Sequence, residues 1–220
     1  MKISNKEIEM IIFDLDGTLL DSGEVWKDVD KKFFEKRNIP MPVDYGQTIA
    51  HMGFDNASHY TKVTFNLEES EQDIINEWEN SVIDAYNNEI ELKPYAREFL
   101  KLGKEKKCIL NVATANQRNC YEPCLKRNQV LDFFEKVIDV KNYKNGKKTP
   151  DIYLDIAKSF QIDPSKILVI EDISTALKSA KDGGFITCAI YEKTSKEENE
   201  KKQIADMYIN SFLDLINMVK

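Results

Sequence analysis

Several features that assign a chain to a familiar class of protein are scarce or missing here. The 220 residues include two histidines and four cysteines, and no cysteine pair has the nearby histidine pair of a zinc site. No apolar run approaches the roughly 18 residues of a membrane-spanning helix. The net charge is −7, which is unlike the basic surface of a nucleic-acid-binding protein. We therefore expect no zinc site, no membrane partner and no nucleic-acid partner.

The first residues and the placement of the cysteines indicate in which cellular compartment the protein is expected. Residues 1–10 are polar and of mixed charge, without the apolar stretch of a secretory signal. Cys108 and Cys188 lie within apolar runs, which is typical of buried free thiols, and Cys120 and Cys124 are spaced for one face of a helix. We expect a cytoplasmic protein with reduced cysteines, as a monomer or a weak dimer.

The sequence does contain a repeated alternation of apolar runs and helical periods. Buried strands are predicted at residues 8–13, 108–113, 137–138, 167–170 and 185–190. Helices are predicted at residues 121–125, 152–160, 174–181 and 212–219. Strand and helix in alternation predict an α/β fold, with a Rossmann-like parallel sheet covered by helices on both faces. The charged stretch 192–202 has no apolar period and is predicted to be a solvated loop or helix face.

One interval, residues 22–107, is far longer than the dozen or so residues that a crossover between parallel strands needs. It carries two apolar stripes at helical spacing, around residues 25–34 and 74–86. We therefore predict an inserted all-helical domain at residues 23–92, within an α/β core domain formed by residues 1–22 and 93–220. Trp26 and Trp78 lie on these stripes, and we expect both in the core of the insert.

Two aspartates, Asp14 and Asp16, directly follow the first predicted strand, and Gly17 permits a sharp turn after them. Ligands of open parallel sheets bind at the carboxyl ends of the strands, and two buried carboxylates there are costly unless a metal or a shared proton neutralises them. Such a pair suits phosphoryl transfer, since one carboxylate can attack phosphorus while the other moves protons. Taken alone, the short pattern also fits a turn that uses Asp and Gly for backbone reasons.

The longer string DLDGTLLDS, residues 14–22, resembles the first motif of the haloacid dehalogenase superfamily. More narrowly, it is similar to the branch that contains β-phosphoglucomutase and phosphoglycolate phosphatase. The resemblance implies that Asp14 is the nucleophile and Asp16 the acid/base, and that the Asp16 backbone carbonyl binds magnesium. It also implies that the insert at residues 23–92 is a cap domain that closes over the site and selects the substrate.

Two further segments resemble the phosphate-binding motifs of this superfamily. Thr114 ends the second long apolar run. The resemblance implies that its hydroxyl binds the phosphate group of the substrate, and that the backbone amides of Ala115 and Asn116 are further hydrogen-bond donors to it. The string GKKTPDIY at residues 146–153 is similar to the third motif, and its spacing selects Lys147 as the phosphate-binding lysine. Lys148 stands where the motif usually has a proline.

A last pair of acids, Glu171 and Asp172, ends another predicted strand. Magnesium prefers oxygen ligands in proteins. The resemblance to the fourth motif makes Asp172 a metal ligand, with Glu171 as a direct or water-mediated neighbour. The implied cofactor is Mg²⁺, bound by Asp14, Asp16, Glu171 and Asp172.

The expected function is that of a magnesium-dependent phosphatase. It would hydrolyse a small phosphorylated metabolite, such as a sugar phosphate, through an aspartyl-phosphate intermediate, so that the expected partner is a small-molecule phosphate ester. Specificity is expected from the loop at residues 44–56, which contains His51, Gly53 and Asn56. We expect His51 and His59 to be structural or exposed rather than catalytic.

Three alternatives remain at this point. A phosphomutase of the β-phosphoglucomutase type has a histidine in the first cap helix, and Trp26 stands at the aligned position here. A dehalogenase requires neither a metal nor the second aspartate, so Asp16, Lys147 and Asp172 argue against it. A non-catalytic metabolite-binding protein would not need every catalytic position to be filled.

Overall fold

The computed structural model describes residues 1–49 and 52–220. The strands in these residues are β1 (Lys2–Ile3), β2 (Lys6–Glu7), β3 (Met10–Phe13), β4 (Ile109–Thr114), β5 (Lys136–Asp139), β6 (Ile167–Glu171), β7 (Ile186–Ile190) and β8 (Met207–Ile209). The helices are α1 (Val25–Lys36), α2 (Tyr45–Ile49), α3 (Gly53–Phe65), α4 (Glu71–Asn88), α5 (Ala96–Glu105), α6 (Arg118–Arg127), α7 (Asp151–Phe160), α8 (Ser174–Asp182), α9 (Glu198–Ile204) and α10 (Phe212–Met218). Each strand and helix that the periodicity predicts overlaps one of these elements.

The main sheet has the strand order β5-β4-β3-β6-β7-β8, and all of its pairings are parallel. In the register of the sheet, Phe13 at the end of β3 pairs with Val112 of β4 and with Ile170 of β6. The strand ends that carry the predicted motifs are therefore neighbours at one edge of the sheet. The predicted α/β class with a parallel sheet is confirmed.

Helices cover both faces of this sheet because successive side chains of a strand point to opposite sides. Met10 and Ile12 pack in one cluster with Ile156 of α7. Phe13 points to the other face, where its ring lies 6.1 Å from that of Phe99 in α5 and 6.3 Å from that of Phe212 in α10. Burial on both faces explains the continuous apolar runs of the central strands.

The described residues divide into two units, Met1–Gly23 with Ile90–Lys220, and Glu24–Glu89. These limits lie close to the predicted boundaries at residues 22/23 and 92/93. The smaller unit contains α1 to α4. Its core includes Phe33 and Phe34 of α1, Ala57 of α3, and Trp78 of α4. The role of this unit as a cap domain stays a prediction.

Three expectations for the smaller unit need comment. Trp26 is 48% exposed, so its prediction as a core residue is wrong, whereas Trp78 is buried as expected. Trp26 is displaced from the buried stripe of α1, and its ring lies 5.7 Å from that of Phe54. The predicted loop at 44–56 instead includes α2 and the start of α3. His51 lies outside the described residues, and His59 is exposed, as expected, with Nδ1 2.8 Å from Glu71 Oε1.

The stretch 192–202 is not simply solvated, and this prediction is wrong as well. Glu192 and Lys201 are buried, and Lys201 belongs to α9. Glu192 pairs with Lys93, which is distant in sequence, whereas Lys201 pairs with Glu198, three residues before it, and donates to Ile190 O. A local apolar period reveals neither arrangement. The short strands β1, β2 and β8 were also not predicted. Among the described helices, none is both long enough and apolar enough to cross a membrane.

Candidate active site

The predicted motif residues meet where three parallel strands end. Asp14 follows β3, Thr114 is the last residue of β4, and Glu171 is the last residue of β6. The backbone N–H of Asp14 donates to Ile170 O at 3.0 Å, which continues the pairing of β3 with β6. Strand order and register therefore place these side chains around one point.

Three carboxylates form what we call the acidic cluster, consisting of Asp14, Glu171 and Asp172. Each offers an oxygen within 4.8 Å of the others, and all three residues are buried. Burial, together with the charges of Asp14 and Glu171, raises the pKa of Asp172 to about 8. Burial also raises the pKa of Glu171 to about 7, against the opposing charge of Lys147. The cluster therefore resists full ionisation unless positive charge is added.

Lys147 supplies one such charge. Its Nζ donates to Asp14 Oδ1 and, at 2.6 Å, to Glu171 Oε1. Burial by itself lowers the pKa of Lys147, but the charges of Asp14 and Glu171 outweigh this effect, so that the pKa is raised. The lysine is thus held as a cation against the cluster. One lysine facing three carboxylates leaves a negative excess.

The oxygens of the acidic cluster fit a hard divalent cation. Glu171 Oε1 accepts from Lys147 and also, at 2.8 Å, from the hydroxyl of Tyr153. Glu171 Oε2 is buried and has no hydrogen-bond partner among the described residues. A buried carboxylate oxygen without a donor is costly, and a cation would satisfy it. Asp14, Glu171 and Asp172 could therefore hold the ion. The predicted contribution of Asp16, through its backbone carbonyl, stays a prediction.

The turn after Asp14 is shaped to fit Asp172. Gly17 has φ of 77°, and a Cβ there would lie 2.3 Å from Asp172 Oδ2. A residue with a side chain would therefore have both a strained backbone and a clash. The next residue, Thr18, donates from Oγ1 to Asp172 Oδ1 at 3.3 Å. Gly17 of the first motif therefore leaves room for the Asp172 carboxylate, which follows a different strand.

Asp16 lies outside the acidic cluster. Its carboxylate accepts from Ser22 Oγ and from Asn116 Nδ2, each at 2.9 Å. Thr114 is fully buried, and its Oγ1 accepts from the backbone N–H of Asn116 at 2.9 Å. The backbone N–H of Asn116, which was predicted to bind phosphate, therefore donates to a group within the chain. Ala115 is exposed.

The motifs did not assign roles to several residues that contact the site. These are Thr18, Ser22, Tyr153 and the side chain of Asn116. All four lie within or beside the motif strings, so proximity in sequence was the available signal. Their partners could not be inferred, because the contacts depend on side-chain direction across the sheet edge.

Residues 11–190 match the sequence profile of the haloacid dehalogenase-like hydrolases. The chain belongs to this family. The match confirms the resemblance drawn from the four motifs, and it extends through the helical insert. Together with the phosphatases among its relatives, it also confirms the prediction that the chain is an enzyme.

Two relatives illustrate the similarity of sequence. The phosphorylated carbohydrates phosphatase of Thermotoga maritima is 25% identical over 179 residues, covering 81% of this chain and 82% of the relative. The phosphoglycolate phosphatase of Nitrosococcus oceani is 26% identical over 223 residues, covering 97% of each chain.

Solved structures share the fold. A Thermotoga maritima protein named as a candidate β-phosphoglucomutase has a TM-score of 0.85 at 20% identity, over 96% of this chain and 98% of the other. CbbY from Rhodobacter sphaeroides, solved in complex with phosphate, has a TM-score of 0.69 at 20% identity, over 95% and 99%. At this identity the likeness shows the fold alone.

Proposed function

We propose that this hydrolase is a magnesium-dependent phosphatase that uses Asp14 as its nucleophile on a small phosphorylated metabolite. The observation that carries the proposal is the buried Asp14 carboxylate, in contact with Lys147 and within a cluster of acids that fits a cation. The relatives that act on phosphorylated carbohydrates and on phosphoglycolate support a sugar phosphate or a similar ester as substrate. The role of Glu24–Glu89 as a cap domain belongs to the same proposal, as does a cytoplasmic monomer or weak dimer.

In the first step, an oxygen of Asp14 attacks phosphorus and the bond between phosphorus and the ester oxygen breaks. Asp16, in its protonated form, gives its proton to the leaving oxygen, which departs as an alcohol. The Lys147 ammonium and the Thr114 hydroxyl offer donors to the phosphoryl oxygens. Lys147 then exchanges contacts with the Asp14 carboxylate for contacts with phosphate.

In the second step, a water molecule attacks the phosphorus of the aspartyl-phosphate. Asp16, now a carboxylate, takes one proton from that water. The bond between phosphorus and Asp14 breaks, which releases inorganic phosphate and restores the Asp14 carboxylate. A cation held by Asp14, Glu171 and Asp172 would supply positive charge that offsets repulsion between carboxylate and phosphate.

The second candidate is a phosphomutase. The fold shared with the candidate β-phosphoglucomutase of Thermotoga maritima is compatible with it. Trp26 weighs against it, because an indole cannot serve as the proton-transferring histidine of that enzyme type. The phosphatase needs only the residues placed at the strand ends and is therefore preferred.

The test is phosphate release from a panel of small phosphate esters, with magnesium and after chelation. We expect magnesium-dependent release from some esters, and labelled substrate quenched in acid should leave label on Asp14. A coupled assay should detect no conversion of β-glucose 1-phosphate to its 6-phosphate isomer. Such conversion without phosphate release would favour the phosphomutase, and label on another residue would overturn the assignment of Asp14.

A further inference from the structure

Asp16 is oriented by side chains on both of its oxygens. Ser22 donates from Oγ to Oδ1, and Asn116 donates from Nδ2 to Oδ2. A carboxylate anchored at one oxygen can rotate about that contact, whereas anchors at both oxygens define its plane. Ser22 lies six residues from Asp16, but Asn116 comes from the loop after a different strand. The second anchor is therefore made by tertiary structure.

The amide of Asn116 is itself held in one orientation. Its Oδ1 accepts from the backbone N–H of Gln117 at 2.7 Å, so that its NH₂ group is the part that faces Asp16. A flipped amide would lose the bond to Gln117 and would set oxygen against oxygen at the carboxylate. The backbone N–H of Asn116 separately contacts Thr114 Oγ1. Side chain and backbone of this residue thus reach two different groups.

We propose that Asn116 is a positioning residue, which holds Asp16 in the orientation needed for proton transfer. The inference rests on the proposed function, in which Asp16 protonates the leaving oxygen. Proton transfer requires the two heavy atoms to come within about 2.6–3.2 Å, so a carboxyl group free to rotate is often out of reach. The effect of Asn116 must therefore depend on how much the leaving group needs a proton.

Asn116→Ala removes the side-chain donor and keeps the backbone contact with Thr114. Asn116→Asp serves as a second variant, because aspartate has nearly the same shape, keeps an acceptor for Gln117 and is favoured near helix N-termini. Gln117→Ala is the matched control, since it removes the side chain of the adjacent amide residue and retains the backbone N–H. Circular dichroism and melting temperature establish that each variant is folded.

The experiment measures the single-turnover rate of the phosphorylation step with two kinds of substrate. One is the best alkyl phosphate of the panel, whose alkoxide needs a proton. The other is p-nitrophenyl phosphate or, where the ring is not accepted, acetyl phosphate, whose leaving groups depart as stable anions. The ratio of the two rates is the readout, because changes in phosphate binding common to both substrates cancel.

For both Asn116 variants we expect the alkyl rate to fall about 10- to 100-fold relative to the activated-substrate rate. This is less than the roughly 10²- to 10⁴-fold contribution of general acid–base catalysis, because the Asp16 carboxyl group is retained and only its orientation is lost. Gln117→Ala should leave the ratio unchanged. Equal losses on both substrates, or no loss on either, would overturn the positioning role. Failure of the proposed function is distinguishable, since the wild-type chain would then release no phosphate or carry no label on Asp14.

Discussion

The carboxyl edge of the sheet holds two groups of charges, one fully and one largely buried, that have opposite properties. The acidic cluster has three carboxylates and one lysine, and Glu171 Oε2 lacks a hydrogen-bond partner among the described residues. What we call the balanced cluster follows β7 and pairs two carboxylates with two lysines. Its members are Lys93, Glu192, Glu198 and Lys201.

The hydrogen bonds of the balanced cluster are satisfied. Lys201 Nζ donates to Ile190 O at 3.0 Å and lies 2.5 Å from Glu198 Oε1, while Lys93 Nζ donates to Glu192 Oε2 at 2.6 Å. Burial tends to raise the pKa of both glutamates, but their hydrogen bonds with the lysines hold each pKa below its ordinary value.

Removal of charges from water thus has opposite outcomes in the two clusters. In the balanced cluster each acid has its own cation, and the charges connect the loop after β7 to the sheet. In the acidic cluster the carboxylates of Glu171 and Asp172 have raised pKa values and the group lacks positive charge. Imbalance of charge, rather than burial of charge, distinguishes the site from its structural neighbour.

The largest expected effect tests the acidic cluster as chemistry. Asp14→Asn should lower kcat/KM by about 10⁴-fold or more, because the amide has nearly the same shape but is a poor nucleophile. The melting temperature of the metal-free variant should be equal to or above that of the wild type, since one repelling charge is gone. Phosphate release and thermal unfolding measure the two effects. Retained turnover would refute the role of Asp14.

The next effect tests the balanced cluster as structure. Lys201→Met should lower the free energy of unfolding by about 1–3 kcal/mol, because it removes the buried ammonium that pairs with the partly exposed Glu198 and leaves Ile190 O without its donor. Urea denaturation measures the loss, and Lys196→Met, at an exposed lysine in the same stretch, is the control. If the two substitutions have equal effects, the balanced cluster does not stabilise the fold.

A smaller effect concerns pH in the metal-free protein. Asp172 and Glu171 have pKa values of about 8 and about 7, above their ordinary values of 3.8 and 4.5, so the folded chain retains protons that the unfolded chain has released. Stability is therefore highest below about pH 4 as far as these groups are concerned, and it falls as pH rises to about 8.

Thermal unfolding in a chelator at several pH values measures this dependence. Asp172→Asn should reduce the decrease in the free energy of unfolding with rising pH by on the order of 1 kcal/mol per pH unit. Asp132→Asn, at an exposed carboxylate, should leave it unchanged. Added magnesium should restore stability most at high pH. If the dependence of stability on pH is the same in Asp172→Asn and in the wild type, the acidic cluster does not retain protons in the folded state.

The smallest expected effect concerns one oxygen of the acidic cluster, Glu171 Oε1, and its contribution to metal binding. Glu171 Oε1 accepts hydrogen bonds from the Tyr153 hydroxyl and from Lys147. Tyr153→Phe removes the first of these bonds, so the Glu171 carboxylate is held less firmly in its orientation. We expect the Kd for Mg²⁺, measured by calorimetry without substrate, to rise about 10-fold. Tyr143→Phe is the control, because its hydroxyl contacts Asp155 outside the acidic cluster. Equal Kd values in wild type and Tyr153→Phe would contradict the inferred role.

The sequence alone determined the main elements and the composition of the site. Strands buried on both faces are continuous apolar runs, so the sheet was predictable from local pattern. Asp14, Thr114 and Asp172 belong to motifs at the ends of predicted strands, and the parallel sheet brings those ends together. Lys147, in the loop before α7, was recognised by resemblance to the third motif. The helical insert was evident because its length exceeded that of any simple crossover.

Only the tertiary structure decided how the charges pair. The motif spacing selected Lys147 for phosphate, but its pairing with Asp14 and Glu171 became apparent only in the structure. Lys201 looked solvated because local periodicity does not show that its ammonium is buried, where it donates to Ile190 O at the end of β7 and pairs with Glu198 of its own helix. The bond from Asn116 to Asp16 likewise joins two strand ends. Local periodicity reports which face is buried, whereas the hydrogen-bond partner of a polar atom depends on groups that approach from distant parts of the chain.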